Sequence, residues 1–408
     1  MTLNCRPGLI PTKLQLDRFN IMIPYGRQDI SQADIDAVVE VLRSDWLTQG
    51  PMVPRFEQAV ADYSGTSHAV AVNSATSALH IACLALDVGP NDGVWTSPNT
   101  FVASANAALY CGAQVDFVDI DPRTYNMSVE RLTEKLKQAK AENKLPKVVI
   151  PVHFAGQSCD MAAIHFLAKE YGFRIIEDAS HAIGGKYKGE PVGSCRFSDI
   201  TVFSFHPVKI ITTGEGSMAL SNDSKLAEQM MRYRSHGITS DLELMRPRPA
   251  DEIWNYQQID LGFNYRMTDI QAALGLSQLK RLDEFIEKRH QIAQCYDEAF
   301  KNLPVTSPWQ HPASYSSYHL YPIRIKQDER GISQRQVYQH LWSADIHVNL
   351  HYIPIYRQPY YEQLGFNAGY CPDAEQYYKE TISLPMYTTL NEADQHQIID
   401  TLHRVLHQ

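Results

Sequence analysis

From about Ile30 onward, short apolar runs alternate with longer stretches whose apolar positions recur every three to four residues. The runs at 69–72, 93–96, 114–118, 147–152, 174–176, 199–205 and 217–221 are too short for helices and predict strands. Alternation of such strands with helical stretches predicts a mainly parallel sheet covered by helices. Residues 76–87 predict a helix, because Leu79, Ala82, Cys83 and Leu86 fall at i, i+3, i+4 and i+7, with Ser74 and Thr76 at its start as capping hydroxyls. Residues 160–171 open on Asp160 and place Ile164, Leu167 and Ala168 on one face. The Ala- and Leu-rich stretch 268–300 has no proline and predicts one or two helices leading to a second domain. Beyond it, 318–325 and 346–350 read as strands, and 392–406 as a closing helix carrying Ile398, Leu402, Val405 and Leu406 on one stripe. The plan is a tail over 1–20, a large α/β domain over 21–280 and a smaller α+β domain over 281–408.

Composition narrows the class. The 408 residues are 44% apolar and 20% charged, an ordinary soluble balance that sets aside disorder and fibrous repeats. With histidine neutral, 37 Lys and Arg against 46 Asp and Glu leave a net charge of −9. That argues against a nucleic-acid binder, which needs a clustered positive surface. It leaves room for an anionic small molecule, since backbone N–H groups and one arginine can hold a phosphate in an acidic protein. Seven scattered cysteines without C-x-x-C spacing fit reduced, intracellular usage. The first twenty residues lack the apolar core of a signal peptide, and the uncharged stretch 69–86 is broken by Asn73, Ser74, Thr76, Ser77 and His80. The expectation is a cytoplasmic protein with no membrane span.

Chemistry concentrates in a few segments. Lys209 follows a predicted strand in Ser204-Phe205-His206-Pro207-Val208-Lys209-Ile210-Ile211, ahead of a Thr/Gly loop. A lone lysine is ordinarily a solvated surface charge. Here apolar Val208, Ile210 and Ile211 flank it, and desolvation lowers a lysine pKa as a Schiff-base nucleophile requires. Upstream, Asp178 sits just past a short buried strand, where open α/β sheets bind ligands. Alone it would be a turn or cap residue; with Lys209 about thirty residues on, it fits the pyridinium partner of pyridoxal phosphate. The segment Asn73-Ser74-Ala75-Thr76-Ser77-Ala78 offers small residues and hydroxyls at a helix N-terminus, which is either a simple cap or a phosphate site. Ser204 could add a hydroxyl, and Phe101 an aromatic face.

Other patterns carry less. Asp119-Ile120-Asp121 has the D-x-D spacing of metal-dependent glycosyltransferases, and is equally a strand running into a turn. His347 and His351 are four apart in a stretch that reads as strand, and without H-E-x-x-H they suggest no zinc site; no metal is expected. P-loop, G-x-G-x-x-G and G-x-S-x-G signatures are absent from the sequence.

Taken in order, these segments resemble the sugar-nucleotide aminotransferases of the DegT/StrS type, with the aspartate-aminotransferase fold, type I. The resemblance runs from about Ile23 to the C-terminus. It rests on Gly50-Pro51 before Phe56-Glu57, Asn73 to Leu79, Ile176-Glu177-Asp178-Ala179-Ser180-His181, Phe203 to Lys209, and Gly262-Phe263-Asn264-Tyr265-Arg266-Met267. It implies that Lys209 carries pyridoxal phosphate as an internal aldimine and shuttles the proton, with pyridoxamine phosphate formed during turnover. It further implies that Asp178 pairs with the pyridine nitrogen and that His181 lies by the phenolic oxygen. Phe101 would stack on the ring, while Ala75, Thr76 and Ser204 hold the phosphate. The family's sites are shared across a homodimer, which implies that Asn264 or Arg266 reaches the phosphate from the partner chain. Ser217 stands where the family's loop usually has glycine, so a positive φ there would alter the loop. The run from His206 to Gly216, with Ile23 to Arg27 and Trp46 to Gly50, is most similar to the pseudaminic acid branch. That branch implies L-glutamate as donor and a UDP-linked 4-keto-6-deoxy-N-acetyl-hexosamine as acceptor at C4. Tyr25, Gln49, His351 and Tyr352 are the expected sugar contacts, although Tyr352 could equally be core.

Overall fold

In a computed structural model, residues 22–249, 251–326 and 331–407 are described; the expected tail over 1–20 lies outside them. The main sheet has seven strands: β1 His68–Val72, β2 Gly93–Thr96, β3 Gln114–Phe117, β4 Val148–Ile150, β5 Arg174–Asp178, β6 Ile200–Ser204 and β7 Ser217–Ser221. Their spatial order is β1-β7-β6-β5-β4-β2-β3. From β3 to β6 every pairing is parallel, whereas β7 runs antiparallel to both β1 and β6. Strands β4 and β6 are buried at every position, as helices on both faces of a parallel sheet demand.

Helix α1, Ala75–Ala85, begins where Ser74 accepts the N–H of Ser77 at 3.2 Å, one residue earlier than its periodicity suggests. Helix α2, Ala103–Tyr110, packs on α1 over a core that includes Leu79, Ala82, Cys83 and Ala107. The stretch 268–300 splits in two, α3 Asp269–Leu279 and α4 Leu282–Phe300, with a capping box of Thr268 and Gln271 opening the first.

A second sheet orders β8 Val305–Thr306, β9 Tyr321–Ile325 and β10 Thr381–Leu384, all antiparallel. Helix α4 and the closing helix α5, Glu392–Leu406, cover it, and Tyr296, Tyr321, Ile323 and Leu402 form its fully buried centre. Strand β9 starts three residues later than the apolar run because Tyr318 takes a left-handed φ of 46°, which breaks extension. The expected strand 346–350 does not form. Ile346 makes one bridge to Ile23 and Asn349 one to Ser383, so the segment threads between two neighbours without building a ladder with either. Ser217 opens β7 opposite Val72 and Ser204, outside the left-handed region, so the loop alteration feared there does not arise. Among the described residues no helix is long and apolar enough to cross a membrane.

Arg289 braces the turns around the second sheet, and a close contact after β4 joins that sheet to the first. The buried Arg289 guanidinium donates to the carbonyls of Tyr318 at 3.1 Å, His319 at 3.3 Å and Met386 at 3.0 Å. The turn Phe154–Gly156 after β4 abuts residues 317–319, where Ser317 N–H donates to Gly156 O at 3.0 Å. Gly156 has φ +103°, and a Cβ there would meet Ser317 Oγ at 2.6 Å and Tyr318 N at 2.8 Å. Gly172 also has positive φ, +81°, but open space around it. Gly172→Ala should therefore cost about 1 kcal/mol, backbone strain alone. Gly156→Ala should cost roughly 2–4 kcal/mol, strain plus overlap. Urea unfolding midpoints of the two variants measure the difference, and equal losses would contradict the packing described.

Candidate active site

The parallel strands deliver their C-terminal ends to one cavity of about 1040 Å³. Val152 after β4, Asp178 at the end of β5 and Ser204 at the end of β6 all line it, as do the N-terminus of α1 and the segment before α2. Of the sequence-predicted residues, Ala75, Thr76, Phe101, Asp178, His181, Ser204 and Lys209 lie in its wall, and so do Tyr25, His351 and Tyr352. Three do not. Gln49 is exposed outside the cavity, because Thr48 bridges to Thr268 and Asp269 N–H binds Leu47 O, which fixes that segment on the outer face. Asn264 and Arg266 flank Tyr265, whose carbonyl accepts Asn73 N–H at 2.8 Å, on the outer edge of β1.

Lys209 is presented by a tight loop between β6 and β7. Its N–H donates to His206 O at 2.8 Å, and Thr212 Oγ and Thr213 N–H both return to Phe205 O. The stem is half-buried and the amine is enclosed by protein. Burial pushes its pKa down from 10.5 to about 8, with the Asp178 carboxylate pulling partly the other way. Asp178 is held on both oxygens, Oδ1 by Ser180 N–H at 3.1 Å and Oδ2 by Ser104 Oγ at 2.6 Å.

Three histidines share this space and are kept neutral. Burial first, then the Lys209 charge, pushes His351 down to about 3 and His181 well below its ordinary range. Burial first, with the neighbouring His181 ring and the Lys209 and Arg289 cations, does the same to His319. Ala155 N–H donates to His181 Nδ1 at 3.3 Å, so the ring proton sits on Nε2, which faces Tyr352 Oη at 3.3 Å. His319 lies against His181 with ring centroids 4.3 Å apart. His351 Nδ1 meets Ser383 Oγ at 2.9 Å.

The N–H groups of Ala75 and Thr76, first in α1, have no intrahelical acceptor and open into the cavity beside Ser204. This donor set suits a phosphate, and with an enclosed amine, a fixed carboxylate and an exposed aromatic, Phe101, it suits pyridoxal phosphate as a whole.

Sequence reasoning missed Ser104, Thr100, Ser180, His319 and Asn349. The i, i+4 hydroxyls of Thr100 and Ser104 were a legible signal; His319 sat unmarked within an apolar run. The carboxylates of the D-x-D pattern follow the turn reading rather than the metal one. Asp119 accepts the N–H groups of Asp373 and Ala374 at 2.9 and 3.0 Å, and Asp121 those of Arg123 and Thr124 at 2.9 Å, so both serve as backbone caps. His347 stacks on Trp342, centroids 3.8 Å apart, away from His351. Among the described residues no group of three His, Cys, Asp or Glu is placed to hold a metal ion.

Comparison with known proteins bears on the chain as a whole. A family model described as the DegT/DnrJ/EryC1/StrS aminotransferase family matches residues 28–403. The chain is 39% identical over 386 residues to the UDP-4-amino-4,6-dideoxy-N-acetyl-beta-L-altrosamine transaminase of Campylobacter jejuni serotype O:23/36, covering 94% of this chain and 98% of that one. Among solved structures, Helicobacter pylori PseC, an aminotransferase of pseudaminic acid biosynthesis, superposes with TM-score 0.84 at 33% identity, covering 95% and 99%. The sugar aminotransferase Spr1654 of Streptococcus pneumoniae in its PMP-form gives 0.85 at 32%, covering 94% and 99%, and it is also known in a PLP-form. The α/β architecture is thus aminotransferase fold type I, and the chain belongs to the DegT/DnrJ/EryC1/StrS aminotransferase family.

Proposed function

We propose that this enzyme is a pyridoxal-phosphate-dependent sugar-nucleotide aminotransferase that moves the amino group of L-glutamate to C4 of a UDP-linked 4-keto-6-deoxy-N-acetyl-hexosamine, as in pseudaminic acid biosynthesis. The observation that carries this reading is the enclosed Lys209 amine sharing a cavity with Asp178 and a free helix N-terminus. When bound, the cofactor supplies an electron sink for the pair left at the reacting carbon. The chain supplies the rest. Lys209 holds the cofactor and then moves the proton at the substrate carbon, first from glutamate and, in reverse, to C4 of the sugar. Asp178 would keep the ring nitrogen protonated, and His181, with its proton on Nε2 beside Tyr352 Oη, would lie by the phenolic oxygen. Ala75, Thr76 and Ser204 hold the phosphate, with Phe101 over the ring.

The likeness to the Campylobacter transaminase supports the L-configured keto sugar. His351 and Tyr352 reach it from the small domain, which we take to span 281–408, and Tyr25 from the start of a large domain of 21–280. The enzyme works in the cytoplasm as a homodimer. Among the described residues of one chain the cavity wall contains no arginine, yet a cofactor phosphate and a diphosphate must both be bound. Asn264 or Arg266 of the partner subunit completes it.

Two outcomes follow. The rate at which apoenzyme captures pyridoxal phosphate should inflect near pH 8, since below it the amine is protonated and above it nucleophilic. Asp178→Asn should move that inflection lower by removing the charge that raises it, and an inflection near 10.5 would contradict an enclosed amine. L-Glutamate should abolish the visible absorbance of the loaded enzyme, and a UDP-linked 4-keto sugar of L configuration should restore it. Restoration by the D-configured keto sugar alone would refute the pseudaminic assignment and leave aminotransfer standing.

A further inference from the structure

Asp178 does not stand alone in the cavity wall. Its backbone is fixed by the sheet, N–H to Pro151 O at 2.9 Å and carbonyl to His153 N–H at 3.0 Å. Its side chain is fixed from two directions. Oδ1 accepts Ser180 N–H at 3.1 Å, and Oδ2 accepts Ser104 Oγ at 2.6 Å. Ser104 is fully buried in the first turn of α2, and Thr100 Oγ, itself buried, lies 2.9 Å from its hydroxyl oxygen.

Ser104 has one hydroxyl proton, and its candidate acceptors are Asp178 Oδ2 at 2.6 Å, Thr100 Oγ at 2.9 Å and Phe101 O at 3.4 Å. The shorter, charge-assisted contact takes it. Thr100 is then the donor to Ser104, so donation runs Thr100 to Ser104 to Asp178. Aligned hydroxyls strengthen one another in a low-dielectric site. The torsion that turns a carboxylate about its last bond is broad and soft, so without this donor Asp178 would be held by Ser180 alone.

We propose that Ser104, oriented by Thr100, is a positioning residue that aims the Asp178 carboxylate at the cofactor's ring nitrogen and so sets how firmly that nitrogen keeps its proton. The inference rests on Asp178 being the ring-nitrogen partner, as read above. The same turn carries Phe101, so one short segment would set both the stacking face and the carboxylate beneath it.

The test loads apoenzyme with pyridoxal phosphate labelled with nitrogen-15 in the ring and follows the nitrogen resonance over a pH series. Wild type should report a protonated nitrogen. Ser104→Ala should shift the resonance toward the neutral-pyridine position, with the nitrogen losing its proton about one pH unit earlier. Thr100→Val, which keeps volume and removes only the donor, should shift it the same way by less, and Ser104→Cys should fall between wild type and Ser104→Ala. The half-reaction with L-glutamate should slow roughly tenfold in Ser104→Ala, with one cofactor still bound per chain. Should Ser104→Ala fail to fold, Thr100→Val and Ser104→Cys decide the matter. Wild-type resonances in these variants alongside a shifted Asp178→Asn would overturn the role of Ser104 alone. A wild-type resonance in Asp178→Asn would overturn the reading of Asp178, and the proposal with it.

Discussion

The site depends on one constraint, the burial of a lysine amine beside a carboxylate. Burial pushes Lys209 down to about 8, and Asp178 limits the fall. An amine solvated on the surface would stay protonated at neutral pH and be useless as a nucleophile; one buried without Asp178 would sink further. The fold meets this constraint by ending β5 at Asp178 and β6 at Ser204, so that the loop after β6 drops Lys209 onto the same sheet end.

The same burial governs the histidines. His181, His319 and His351 are all driven neutral, so the cavity avoids stacking positive charges near Lys209. Neutral rings also carry directional information that charged ones lose. Ala155, held at φ 57° in the turn that abuts the second sheet, fixes which nitrogen of His181 bears the proton. Anions gain nothing from these rings. In a chain of net charge −9, a phosphate must be met by the dipole and free N–H groups of α1 and by cations from elsewhere.

Much of this was legible in sequence, for physical reasons that also explain the gaps. The strands of the main sheet are short runs buried on both faces, and such runs announce themselves; 217–221 and 392–406 were bounded as the structure has them. Lys209, Asp178 and the start of α1 were legible because polar groups stood at the ends of apolar elements. The segment 346–350 misled because its backbone bridges singly, Ile346 to Ile23 and Asn349 to Ser383, and periodicity cannot distinguish a ladder from two isolated bridges. Asp119 and Asp121 left two readings open because a carboxylate capping backbone N–H groups, distant ones for Asp119 and adjacent ones for Asp121, has the same spacing as one binding a metal. Ser104 and His319 went unread because their partners, Asp178 and His181, lie 74 residues away in the first case and in another element in the second.

What the account claims above all is that the enclosed amine of Lys209 bears the cofactor. Borohydride reduction of the loaded enzyme, followed by peptide mapping by mass spectrometry, tests this most directly. The account predicts one phosphopyridoxyl group per chain, on the peptide containing Lys209. A label on any other lysine, or no label after loading, would contradict it.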